Sequence, residues 1–110
     1  MAFDDFDIEI QNDTGSEPES AVITITTAGS PVTFTPTSAR PIQTAFLNVP
    51  RVGPNSGTNL PNRYILYSIN GGTVYHTLGV NESISLPGNF ADLRLDASHD
   101  GMKVEVEVRT

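Results

Sequence analysis

The sequence predicts an all-β fold: a single-domain antiparallel β-sandwich or jelly-roll-like barrel of eight or nine short strands, with an acidic N-terminal arm. Three observations lead there. Every strong hydrophobic periodicity has period two, the spacing of side chains that alternate between the faces of a strand. Turn signals built from Gly, Pro, Asn and Asp recur about every 8–12 residues, and no stretch has helical periodicity. A length of 110 residues leaves room for one core.

The elements follow in order. Phe6, Ile8 and Ile10 alternate with Asp7 and Glu9 as in a half-buried strand. Gly15-Ser16-Glu17-Pro18-Glu19-Ser20 then reads as a connector to the β-branched run Ala21-Val22-Ile23-Thr24-Ile25-Thr26-Thr27. Gly29-Ser30-Pro31 marks a turn, and Val32-Thr33-Phe34-Thr35 fits a short edge strand stopped by Pro36. Residues 42–49 form a further strand between Pro41 and Pro50. Residues 63–69 and 73–78 form a hairpin, because Asn70-Gly71 suits the two positive-φ positions of a type I′ turn and is expected to set the register. Residues 82–86 and 91–96 alternate around Pro87-Gly88-Asn89. Asp100-Gly101 then turns the chain into residues 103–109, where three valines face one way and charged groups the other. The expected core comprises Ile8, Ile10, Ile23, Ile25, Phe46, Ile65, Tyr67, Ile69, Val74, Leu78, Ile84, Leu86, Leu93, Leu95, Val104, Val106 and Val108.

Charge is segregated along the chain. Residues 1–20 hold seven acids (Asp4, Asp5, Asp7, Glu9, Asp13, Glu17, Glu19) and no base, which equals the whole net charge of −7. Residues 21–81 hold no acid and three arginines, Arg40, Arg51 and Arg63. The division expected is an acidic arm or edge strand over 1–20 and a sandwich over 21–110, the arm seeking a basic neighbour on another copy or a partner. The net negative charge opposes binding to nucleic acid or to anionic membranes. The absence of cysteine excludes disulfides, thiolate zinc sites and a cysteine nucleophile. No apolar run approaches the roughly 18 residues of a membrane span, and the N-terminus lacks a signal-peptide pattern, so the chain is expected to remain in the cytoplasm or be assembled there.

Catalytic patterns are missing. No serine sits in a Gly-x-Ser-x-Gly elbow, and His76 and His99 read as strand and turn residues. Glu105 and Glu107 share a strand face roughly 7 Å apart, near the carboxylate separation of inverting glycosidases, but with Lys103 and Arg109 they make a solvent face. Asp96, Asp100 and the N-terminal aspartates lack the loop that fixes calcium geometry. Neither an enzyme nor a cofactor is expected. Six of the eight prolines lie between residues 31 and 61, and residues 50–62 form a loop long enough to bind something.

Tyr64-Ile65-Leu66-Tyr67-Ser68-Ile69-Asn70-Gly71-Gly72-Thr73, then Leu78-Gly79-Val80-Asn81-Glu82-Ser83-Ile84-Ser85-Leu86, then Asp100-Gly101-Met102-Lys103-Val104-Glu105-Val106 resemble the small all-β accessory proteins of tailed-bacteriophage virions, the head decoration or cement class. The resemblance spans about half the chain and carries over no functional residue. It implies a structural protein made in the host cytoplasm that binds a preassembled capsid in the virion, with the major capsid protein or another virion protein as partner. It further implies a homo-oligomer, often a trimer, whose N-terminal arm orders on contact. The residues expected to meet the partner are Phe3 and Phe6 in the arm, Arg40, Arg51 and Arg63 in the acid-free middle, and Asn55 and Asn59 in the loop. The alternative is a carbohydrate- or ligand-binding sandwich module of a phage fibre or larger assembly, using Tyr64, Tyr67, Tyr75 and the Asn-rich loop.

Overall fold

The computed structural model describes residues 18–38 and 40–110. Eight strands run in chain order: β1 (Pro18–Ile25), β2 (Val32–Phe34), β3 (Ile42–Asn48), β4 (Tyr64–Ile69), β5 (His76–Gly79), β6 (Ser83–Phe90), β7 (Leu93–Ala97) and β8 (Met102–Arg109). They form two four-stranded antiparallel sheets, β1-β8-β3-β6 and β2-β7-β4-β5. First pairs with last throughout: β1 with β8, β2 with β7, β3 with β6, β4 with β5. One long hairpin is thus folded over so that successive strands pass from sheet to sheet, except at its tip, where β4 and β5 share one, which is the jelly-roll arrangement. Among the described residues there is no helix.

The expected strand over residues 6–10, with Ile8 and Ile10, lies outside the described residues. The expected connector ends sooner than its charge pattern implied. Pro18, Glu19 and Ser20 pair with Arg109, Val108 and Glu107 as the start of β1. Pro18 takes the first strand position, where its missing N–H interrupts little of the ladder. Glu19 is fastened as well, its Oε1 accepting from the Thr37 backbone N–H and hydroxyl at 2.9 and 3.1 Å.

The core lies between the sheets. Ile25, Ile65, Tyr67, Leu78, Leu93, Leu95, Val104, Val106 and Val108 are buried as expected, and Ile23, Ile84 and Leu86 pack at its margin. Phe34, Ile42, Ala45, Leu47, Val49, Phe90, Ala97 and Met102 complete it. Three expected core residues are outside. Phe46 is 42% exposed because a register shift between Ile42 and Thr44 resets the phase of β3, turning Ala45 and Leu47 inward and Phe46 outward. Ile69 and Val74 are exposed because the β4–β5 ladder ends at Tyr67–His76, before reaching them.

The Asn70-Gly71 turn has the expected geometry. Both residues have positive φ, 58° and 67°, and the Gly72 N–H donates to the Ile69 carbonyl at 3.0 Å. It does not set the register. A two-residue turn joining Ile69 to Gly72 would bring Tyr67 opposite Val74, yet Tyr67 pairs with His76, so the returning strand carries two extra residues. The turn is buttressed instead by the β6–β7 corner: the Asn70 and Gly71 N–H groups donate to the carbonyl and carboxylate of Asp92, and the Ala91 N–H donates to Asn70 Oδ1. Gly71→Val is expected to destabilise by about 1 kcal/mol or more, from positive-φ strain alone, since a Cβ there would touch nothing within 4 Å. A thermal midpoint equal to wild type would show that the turn tolerates a β-branched residue.

Candidate functional site

The site begins where β3 ends. Asn48, its last residue, stands opposite Glu105, so β8 continues toward Met102 without a neighbouring strand on that side. Its backbone groups still need partners. Residues 50–62 return to supply them: Gly57 bridges to Met102, and Thr58 donates through its N–H to the Gly101 carbonyl and through its hydroxyl to the Asp100 carbonyl. Asn59 completes the edge. Its Oδ1 accepts from the Lys103 N–H at 3.0 Å, and its Nδ2 donates to the carbonyls of Lys103 and Pro50, both at 2.8 Å. The side-chain amide thus stands in for the peptide group of a missing strand. Gly57 is needed at this approach, because a Cβ would lie 2.7 Å from the Gly101 carbonyl oxygen.

A second clamp holds the other part of the loop. Glu105 accepts from Asn48 Nδ2 through Oε1 at 2.7 Å and from Asn55 Nδ2 through Oε2 at 2.9 Å. These bonds, Asn55's first and then Asn48's, hold the carboxyl below its ordinary pKa against the opposing effect of burial. A carboxylate kept ionised with both oxygens engaged is a fastening, not a poised general acid. Glu107, its strand companion, is exposed beside Phe46 and Ser20 in adjoining positions of the sheet. Together Val22, Phe46, Asn55 and Glu105 border a shallow hollow of about 430 Å³ on the outer face of the sheet.

Because the folded-state pKa of Glu105 is depressed, its contribution is complete above the ordinary, unfolded value of a glutamate and is lost as pH falls through the folded value. Glu105→Gln is therefore expected to lower the melting midpoint at neutral pH and to flatten its decline on acidification. Parallel midpoint-versus-pH curves for wild type and variant would show that the clamp contributes nothing.

The residues singled out by sequence are only partly brought together. Arg51, Asn55, Asn59 and Arg63 belong to the same end of the sandwich, on or beside the loop. Arg40 precedes β3 and Arg51 follows it, so seven strand residues, roughly 20 Å, keep Arg40 at the opposite end. The acid-free middle is not one basic patch. Asn59, 1% exposed, is committed to the interior and is not a contact residue, and Asn55 is spent on Glu105. Arg63 is half-buried and donates from Nη1 to the Thr58 carbonyl at 3.0 Å. Phe3 and Phe6 lie outside the described residues. At the loop surface stand Val52, 78% exposed, and Leu60, 45% exposed.

The remaining candidates are structural in place. Asp96 Oδ1 accepts from the N–H groups of Gly29 and Ala97, and Asp100 Oδ1 accepts from that of Ala28, so both carboxylates organise the β1–β2 turn. Ser98 and His99 are hydrogen-bonded to each other through Oγ and Nδ1 at 2.8 Å. Among the described residues no three His, Cys, Asp or Glu side chains gather as a metal site. Comparison of the chain with protein-family models, with curated proteins and with solved structures finds no match.

Proposed function

We propose that this chain is a non-enzymatic virion structural protein that binds and stabilises a bacteriophage capsid surface, as a decoration or cement protein does. The observation that carries the reading is the loop over residues 50–62. It is pinned to β8 and the turn before it through Gly57, Thr58, Asn59 and Asn55, yet turns Val52 and Leu60 to solvent, with Arg51 next to Val52 in the chain and Arg63 bonded back to the loop at Thr58. A loop ordered in advance loses less entropy on binding than a mobile one, and an apolar contact flanked by arginines suits a protein surface that carries carboxylates. The resemblance to small virion accessory proteins and the acidic N-terminal segment point the same way, the latter as a second contact with the capsid or with other copies in a trimer.

Cosedimentation with empty capsids of the phage that encodes the chain is the test. Wild type is expected to pellet with capsids. Replacing Val52 with Asp and Arg51 with Glu together is expected to weaken attachment about tenfold or more while leaving the melting midpoint near wild type, since Val52 is largely exposed. Failure of the wild-type chain to bind would overturn the reading, and undiminished binding of the double variant would remove the loop from it.

A further inference from the structure

The Asn70-Gly71 turn lies at the other end of β4 from the 50–62 loop, and both of its residues are exposed. Of the eight asparagines in the chain, Asn70 alone is followed by glycine. That pairing has a chemistry of its own. The peptide nitrogen after an asparagine can attack the side-chain carbonyl carbon, Cγ, and a glycine leaves that nitrogen without a side chain to shield it.

The closed turn keeps the reacting groups apart. At φ 58° Asn70 is left-handed, and in a type I′ turn the Cβ of such a residue stands nearly trans to the next peptide nitrogen about the Cα–C bond, so Cγ is directed away from the Gly71 nitrogen. Both groups are also tethered to the β6–β7 corner. The Gly71 N–H donates to Asp92 Oδ1 at 2.8 Å, the Asn70 N–H donates to the Asp92 carbonyl at 2.9 Å, and Asn70 Oδ1 accepts from the Ala91 N–H at 3.2 Å. Attack requires rotation of the peptide between Asn70 and Gly71, which breaks the bond to Asp92 Oδ1. That bond ends on a half-buried carboxylate, a stronger acceptor than a neutral oxygen.

We propose that Asn70 is a site of spontaneous modification, converting to aspartate and isoaspartate when this turn opens, and that the Asp92 carboxylate sets the rate by holding the turn shut. In the open turn the Gly71 nitrogen gives its proton to solvent and bonds to Asn70 Cγ. The Cγ–Nδ2 bond breaks, Nδ2 takes a proton and leaves as ammonia, and a succinimide ring remains. Water then opens the ring: addition at Cγ gives aspartate, and addition at the backbone carbonyl carbon gives isoaspartate, which carries an extra methylene in the main chain. Overall a water is consumed and an ammonia released, and nothing is oxidised or reduced. Neither product restores the original turn, because aspartate sets a second carboxylate beside Asp92 and isoaspartate lengthens the backbone.

The experiment follows conversion at Asn70 in the full chain at neutral pH and physiological temperature by tryptic mass mapping. Cleavage after Arg63 and Arg94 releases a peptide that contains Asn70, with Asn81 and Asn89 as internal references. Folded wild type is expected to convert at Asn70 before either reference, and at least about tenfold more slowly than the guanidinium-unfolded chain. Asp92→Ala is expected to convert about threefold to tenfold faster than wild type while still folded, and Asp92→Asn, which keeps an uncharged acceptor, to fall between the two. Asn55→Ala loosens the opposite end of the sandwich and is expected to convert as wild type does. Should Asp92→Ala fold poorly, Asp92→Asn decides alone. The proposal is overturned if another asparagine converts first, if folded wild type converts as fast as the unfolded chain, if the Asp92 variants convert no faster than wild type, or if Asn55→Ala speeds conversion as much as they do.

Discussion

Asn59→Ala is expected to destabilise the domain by about 3 kcal/mol or more, at roughly 1–3 kcal/mol for each buried group left unpaired. The substitution strips partners from three backbone groups, the N–H and carbonyl of Lys103 and the carbonyl of Pro50. At about 4–8 °C per kcal/mol for a domain of this size, the midpoint falls by more than 10 °C or so. Asn59→Asp is no rescue: a carboxylate accepts from the Lys103 N–H but has no hydrogen to offer the two carbonyls and sets a charge against them. Asn55→Ala is the control, since that amide reaches only Glu105 at the sheet surface and its loss costs about 1 kcal/mol. Thermal melts of the three variants distinguish the roles. An Asn59→Ala midpoint no lower than that of Asn55→Ala would mean that the loop does not complete the sheet edge.

That role for Asn59 was not legible in the sequence, for a physical reason. An asparagine in a stretch rich in Pro and Gly suits turns and contact surfaces equally well. What makes this one structural is that β3 stops at Asn48 while β8 runs on to Met102, a relation between residues more than forty positions apart. The arginines illustrate the same limit from the other direction. Arg40 and Arg51 share an acid-free segment, but an intervening strand converts nearness in sequence into distance in space. Charge counted along a chain predicts a patch only when the fold returns the segments to one surface.

The strands were legible wherever the alternation was local. β2, β4 and β8 fall within a residue or two of where their patterns placed them. The pairing of first with last was not, because antiparallel partners such as β1 and β8 are chosen by the whole set of apolar faces seeking cover. The hairpin shows how a correct local reading still misleads. Asn70-Gly71 adopts its positive-φ turn, but Asp92 of the neighbouring corner holds it, and the ladder takes a register that places two extra residues in the return. Those two residues lie in a stretch, 72–75, that pairs with no strand, a feature that no motif announces.

Strand β3 provides the second large effect, as a contrast between neighbours. Leu47→Ala is expected to cost about 2–5 kcal/mol, whereas Phe46→Ala is expected to cost less than about 1 kcal/mol despite removing the larger side chain. Leu47 is fully buried between the sheets, and Phe46 stands on the outer face opposite Glu107. Size alone favours Phe46 as the core residue, and a single uninterrupted alternation beginning inward at Ile42 leads to the same choice. The irregularity between Ile42 and Thr44 breaks that alternation, so Ile42 stays inside and so do Ala45, Leu47 and Val49. Urea unfolding of the two single variants measures the contrast directly, and unchanged m-values would show that both still unfold as one cooperative unit. A larger loss for Phe46→Ala than for Leu47→Ala would place Phe46 in the core, reverse the faces of β3, and with them the outward position of the Phe46 hollow on the β8 side.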